Sequence, residues 1–147
     1  MPRSSWSAPN PLPDSLRGSL KDLRHGLLDL HKSLIVSEQL TYERIYGRVT
    51  SSGQLLQLVM NDPWFAWLHP LSHLVVRIDV VLEDQDDTTV EAAQELLSEA
   101  RAMLRPSEKG DGFERSYYEA LQRTPDVVLA HAMVKKLLST ACMAAAA

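Results

Sequence analysis

A seam of leucines runs through positions 16, 20, 23, 27, 30 and 34. The gaps alternate four and three, which lines up one face of a helix and cannot serve a strand of period two. The pattern predicts a first helix from Pro13-Asp14, fading through Tyr42, Ile45 and Tyr46, with Gly47 as its C-terminal stop. Gly18 and Gly26 interrupt it, each costing about 1 kcal/mol relative to alanine. Ser51 or Ser52 can cap a short helix reaching Met60. Asp62-Pro63 then reads as an N-cap followed by a first helical residue.

The stretch NDPWFAWLHPLSHLVVRIDVVLED, residues 61–84, is the densest apolar run of the chain. It predicts a helix to about Leu82, interrupted at Pro70. That residue lacks an amide hydrogen and crowds the carbonyl of Ala66, so a kink or break is expected there. The acidic run 83–87 predicts a loop. Thr88 with Glu91 fits a capping box for a helix reaching about Leu104. Residues 106–112 predict a second loop. Phe113 to Gln122 and a segment from Thr124-Pro125 predict the last two helices, with the closing alanines extending or fraying the end. No strand signal appears.

These elements predict an all-α protein: a single-domain bundle of five or six helices. The 61–84 helix, apolar almost all round, is expected at its centre, kinked near Pro70, with Trp64 and Trp67 in the core. Residues 1–12 are expected to form a flexible, proline-rich arm carrying Trp6. The bundle is expected over 13–141 and a frayed end over 142–147.

Composition narrows the setting. A chain of 147 residues suits one domain and needs no covalent staple. The net charge of −4 argues against nucleic acid and against an anionic membrane surface. A membrane span over 63–82 would also have to carry Arg77 and Asp79, each at about 2.5–3.5 kcal/mol, and is not expected. Cys142 is the single cysteine, so no intrachain disulfide can form and a reducing, cytoplasmic location is expected. The N-terminus carries no apolar run of a secretory signal.

The candidate chemistry lies in the histidines. His25 falls opposite the leucine seam and is expected in solvent. His31 borders the seam, with Glu38 and Tyr42 further along its face. His131 is bracketed by Val127, Val128, Val134 and Leu138. His69 and His73, four apart, share a face of a continuous helix, although Pro70 lies between them. Two readings are open. A histidine beside an apolar face can be a boundary residue with one hydrogen-bonded nitrogen. Alternatively, His31, His69, His73 and His131 converge on a divalent metal such as zinc, two of them from one helix and others from elsewhere. Arg77 and Asp79 point in different directions, so each needs its own partner. Glu38 or a residue of the 87–99 region suits Arg77.

The His69/His73 pair resembles the metal pair of the DinB-like helical bundles, with His31 or His131 in the place of their further histidine. The family sets its pair late in the chain, and here it comes early. WFAWLHPLSHLVVRID and TPDVVLAHA are similar to a group of small bacterial helical proteins of unknown function, which implies a bacterial cytosolic bundle. No glycine-rich phosphate loop or nucleophile elbow is present, and Cys142 lacks a base. The chain is therefore expected to act without catalysis, binding a protein partner or forming a homodimer, with no cofactor. The alternative is a metal-binding bundle with hydrolase or transferase chemistry.

Overall fold

The computed structural model describes residues 12–83 and 88–146, all helix, turn and loop, with no sheet among them. Helix α1 spans Asp14–Tyr46, α2 Ser52–Asn61, α3 His69–Glu83, α4 Val90–Met103, α5 Phe113–Arg123 and α6 Pro125–Ala146. A 3-10 helix, Pro63–Leu68, joins α2 to α3.

The leucine seam builds the core. Leu16, Leu20, Leu23, Leu27, Leu30 and Leu34 are all fully buried. Helix α1 has 33 residues and is therefore about 50 Å long. It packs on α6, α3, the 3-10 helix and α5, and the α1–α6 pair is the most extensive in the fold. Close approach is permitted at Gly26, where a Cβ would stand 2.6 Å from Leu137 Cδ1. Gly18 has open space instead. Gly47 ends α1 at φ 95°, its amide donating to the Glu43 carbonyl at 3.0 Å, a conformation that favours glycine.

The caps follow side-chain chemistry. Ser51 Oγ accepts from the Gln54 amide at 3.1 Å, and Asp62 Oδ1 from the Trp64 amide at 2.9 Å. The cap of α4 is Thr89, not Thr88: its hydroxyl accepts from the Ala92 amide at 3.1 Å. Thr88 donates its own hydroxyl to the Val81 carbonyl at 3.3 Å, which ties the loop to α3 and leaves the neighbouring threonine to cap.

The 61–84 stretch departs from its expected place. Phe65, Leu68, Leu71, Leu74, Val75 and Ile78 are buried, but Val76 and Val80 are each 57% exposed. Helix α1, not this segment, occupies the middle. The backbone changes from 3-10 to α between Leu68 and His69. Pro70 thereby falls in the first turn of α3, where an absent amide hydrogen leaves no helical bond unmade.

The two ends stand differently against expectation. The arm, with Trp6, lies outside the described residues except for Leu12, which is buried against the core. Of the acidic loop, residues 84–87 lie outside them, and Glu83 ends α3. The chain is not frayed from residue 142: α6 continues through Ala146. Ala145 is buried, and its carbonyl accepts from Gln94 Nε2 at 2.9 Å.

Candidate functional site

Three of the four candidate histidines stand near one another. His69 and His73 keep their four-residue register on α3, with ring centroids 6.4 Å apart. His69 Nε2 lies 2.9 Å from the Val59 carbonyl of α2. A carbonyl only accepts, so Nε2 is the donor of this bond. His31 on α1 is half-buried. Burial, and then the neighbouring His69 imidazole, hold its pKa below the ordinary 6.5. His73 is exposed, and so is His25.

His131 belongs to a different cluster. The Tyr117 hydroxyl from α5, fully buried, stands 2.5 Å from His131 Nδ1. Burial raises the Tyr117 pKa well above its usual range, while burial and then Lys135 lower that of His131. Both shifts make phenol the donor and neutral imidazole the acceptor. Phe113 stacks on Tyr117 at 5.5 Å and Trp67 on Phe113 at 5.3 Å, which keeps that bond among aromatic rings. Tyr118, pointing elsewhere as a neighbouring helical residue must, donates to Glu108 at 3.0 Å. Four histidines therefore do not meet. Among the described residues no group of three His, Cys, Asp or Glu side chains could hold a metal ion.

The other polar candidates are structural ties between helices. Glu38, nearly buried, accepts from Arg123 Nη2 at 2.5 Å. Arg123 also donates to Ser37 Oγ through Nε at 3.2 Å and Nη2 at 3.0 Å. Both lone pairs of Ser37 Oγ are then engaged, so its proton goes to Thr124 Oγ1, 2.7 Å away. Ser37 is the next position of the leucine seam after Leu34, and a polar side chain there signals a buried partner. Arg123 and Thr124 carried no such signal. Asp79 pairs with Arg24 of α1, and Arg77, exposed rather than inward, pairs with Glu99 of α4. Tyr42 joins no polar cluster. Its ring packs on Tyr46, Phe65 and Trp64 at 4.8, 5.7 and 6.0 Å. Trp64 Nε1 is buried beside those tyrosines without a hydrogen-bond partner.

No protein-family model, curated protein or solved structure matches this chain. Its own surface is the remaining guide. Helix α6 carries a row of uncovered apolar side chains: Leu129, Met143 and Met133 are 70, 67 and 54% exposed. By length and composition alone, Pro63–Glu83 and Pro125–Ala146 are apolar enough to cross a membrane. In α3 the two central ionised residues are paired to α1 and α4 instead. A groove of about 730 Å³ lies between the end of α4 and the second half of α6, lined in part by Arg101, Leu104, Arg105, Lys135, Leu138 and Met143. Cys142 lies on its wall and on that of an adjoining pocket of about 360 Å³.

Proposed function

We propose that this chain is a non-enzymatic helical-bundle module of the cytoplasm that works by protein association, with a second copy of itself as the occupant of the outer face of α6. One observation carries the reading. In the most apolar 18-residue window of α6 only 22% is buried, and Leu129 and Met133 stand in the open one turn apart. Apolar side chains in such a row gain from removal from water, at roughly 25 cal/mol per Å². A symmetric pair would bury each copy's row against the other.

Light scattering on the purified chain tests this. The wild type is expected to weigh as a dimer at tens of micromolar, and Leu129→Glu/Met133→Glu as a monomer with unchanged helix content. A wild type that stays monomeric at every concentration would overturn self-association.

A second reading, a divalent-metal site, is favoured by the bond that His69 makes. Metal-bound histidines commonly donate their second nitrogen to a backbone carbonyl, as His69 does to Val59. It ranks second because His31 and His73 stand near it, yet among the described residues no three His, Cys, Asp or Glu side chains are grouped to hold a metal ion. Stoichiometric zinc in untagged protein, lost in His69→Ala, would promote it.

A further inference from the structure

We propose that the groove between α4 and α6 binds a single-chain amphipathic anion, a fatty-acyl carboxylate. Arg101, Arg105 and Lys135 would receive the headgroup, and Leu104, Leu138 and Met143 the chain. This goes beyond the association reading, because Leu129 and Met133 line no part of the groove.

Charge is the first argument. Four arginines elsewhere are matched, Arg24 with Asp79, Arg77 with Glu99, Arg115 with Glu119 and Arg123 with Glu38. Arg17 donates to the Leu82 carbonyl, and Arg44 and Arg48, also outside the ion pairs of the described residues, do not line the groove. Among the described residues no ion pair engages Arg101, Arg105 or Lys135, and no carboxylate lines either the groove or its adjoining pocket. Three like charges thus share one concavity in a chain whose net charge is −4. The dipole of α4 accounts for a cation in its last turn, which is Arg101. It does not account for Lys135, which lies within α6, or for Arg105, beyond the helix. The charge of Lys135 also reaches His131, one turn back, and helps lower its pKa.

The floor is the second argument. Leu104 and Leu138 close the bottom at 4% and 5% exposure, and Met143 stands at the rim as a flexible side chain that moulds to an apolar chain. Inorganic phosphate would satisfy the cations and leave this floor wet. A neutral alkane would fill the floor and leave the cations unmatched. The volume is the third argument. About 730 Å³ falls within the roughly 300–1,000 Å³ of small-molecule sites. It would hold less than about two turns of a helix of about 10 Å diameter, so a small molecule fits better than a partner helix.

Titration calorimetry with decanoate, octanoate, 1-octanol and inorganic phosphate tests the assignment. Decanoate is expected to bind one to one, and more tightly than octanoate by about tenfold, following the gain per added methylene. Arg101→Gln/Arg105→Gln is expected to weaken decanoate at least tenfold, and Lys135→Gln alone to weaken it several-fold. Lys32→Gln, an exposed charge on α1, should leave it unchanged. If the double variant fails to fold, Lys135→Gln and the chain-length series still decide. The proposal is overturned if 1-octanol binds as tightly as octanoate, or if phosphate binds as tightly as decanoate. It is equally overturned if millimolar decanoate gives no heat, or if anionic phospholipid vesicles capture the protein while monomeric decanoate does not bind.

Discussion

Replacing Arg123 by methionine tests what holds the α5–α6 corner to α1. The change keeps an unbranched aliphatic stem but removes three hydrogen bonds: two to Ser37 Oγ and one to Glu38 Oε2. Glu38 is then left with its side chain 11% exposed and no cation. Orphaning a buried ion-pair partner costs about 3–5 kcal/mol. The Arg123 side chain is 32% exposed, so water already screens part of the attraction. A loss of about 2 kcal/mol is the consistent expectation. In a chain of this length, that lowers the melting midpoint by about 4–8 °C. The companion double variant, Glu38→Met with Arg123→Met, removes both charges and should recover most of the loss. Urea unfolding followed by circular dichroism measures Arg123→Met, Glu38→Met and the double variant against the wild type. Strict additivity of the two single losses in the double variant, or a single loss under about 0.5 kcal/mol, would refute the reasoning. Either result would mean that the corner is held by apolar packing alone.

Three further expectations concern other parts of the fold. Gly18→Ala should stabilise by about 1 kcal/mol through helix propensity, because nothing stands within 4 Å of the new Cβ. Gly26→Leu should destabilise by about 1–3 kcal/mol through overpacking against Leu137 and Val134, and thermal melts of the pair should move in opposite directions. His31 and His131 both have folded pKa values below the unfolded 6.5, so the unfolded chain binds more protons once the pH drops. Their contribution is complete above pH 6.5 and is lost as the pH falls below it. Urea midpoints should therefore decline from pH 7 to 5, and a slope unchanged in His31→Gln/His131→Gln would disprove the assignment. Deleting residues 143–147 removes buried Ala145 and the acceptor of Gln94. It should lower stability by about 1–2 kcal/mol, whereas a frayed end would leave the midpoint where it was.

Periodicity made α1 readable, because six leucines at helical spacing can serve only one face, and that face is the buried one. The caps at Ser51 and Asp62 were equally legible, since an oxygen-bearing side chain just before an apolar run has a local job. The α4 cap was placed one residue early. Two threonines stand together there, and the choice between them rests on a bond from Thr88 to Val81 seven residues back. The 61–84 stretch was misplaced because apolar content measures transfer preference and not location. Nothing local told that Val76 and Val80 would lie outside. The candidate site was legible only in part. His69 and His73 face together because their spacing is intrahelical. The Tyr117–His131 bond joins two helices, and the Ser37–Arg123 contact spans 86 residues. Their partners depend on how the helices pack, which no short window of sequence contains.

The most extensive helix pair in the fold joins the first helix to the last. During synthesis α1 is finished at Tyr46, yet the face of α6 that covers it is complete only at Ala146. At roughly 5–20 residues per second, the intervening hundred residues take about 5–20 s. Throughout that interval the part of α1 that α6 covers faces water, while the part against α3 can be covered once Glu83 is made. Arrest of translation before α6 would therefore release a fragment whose leucine seam is covered only in part, a surface that favours aggregation.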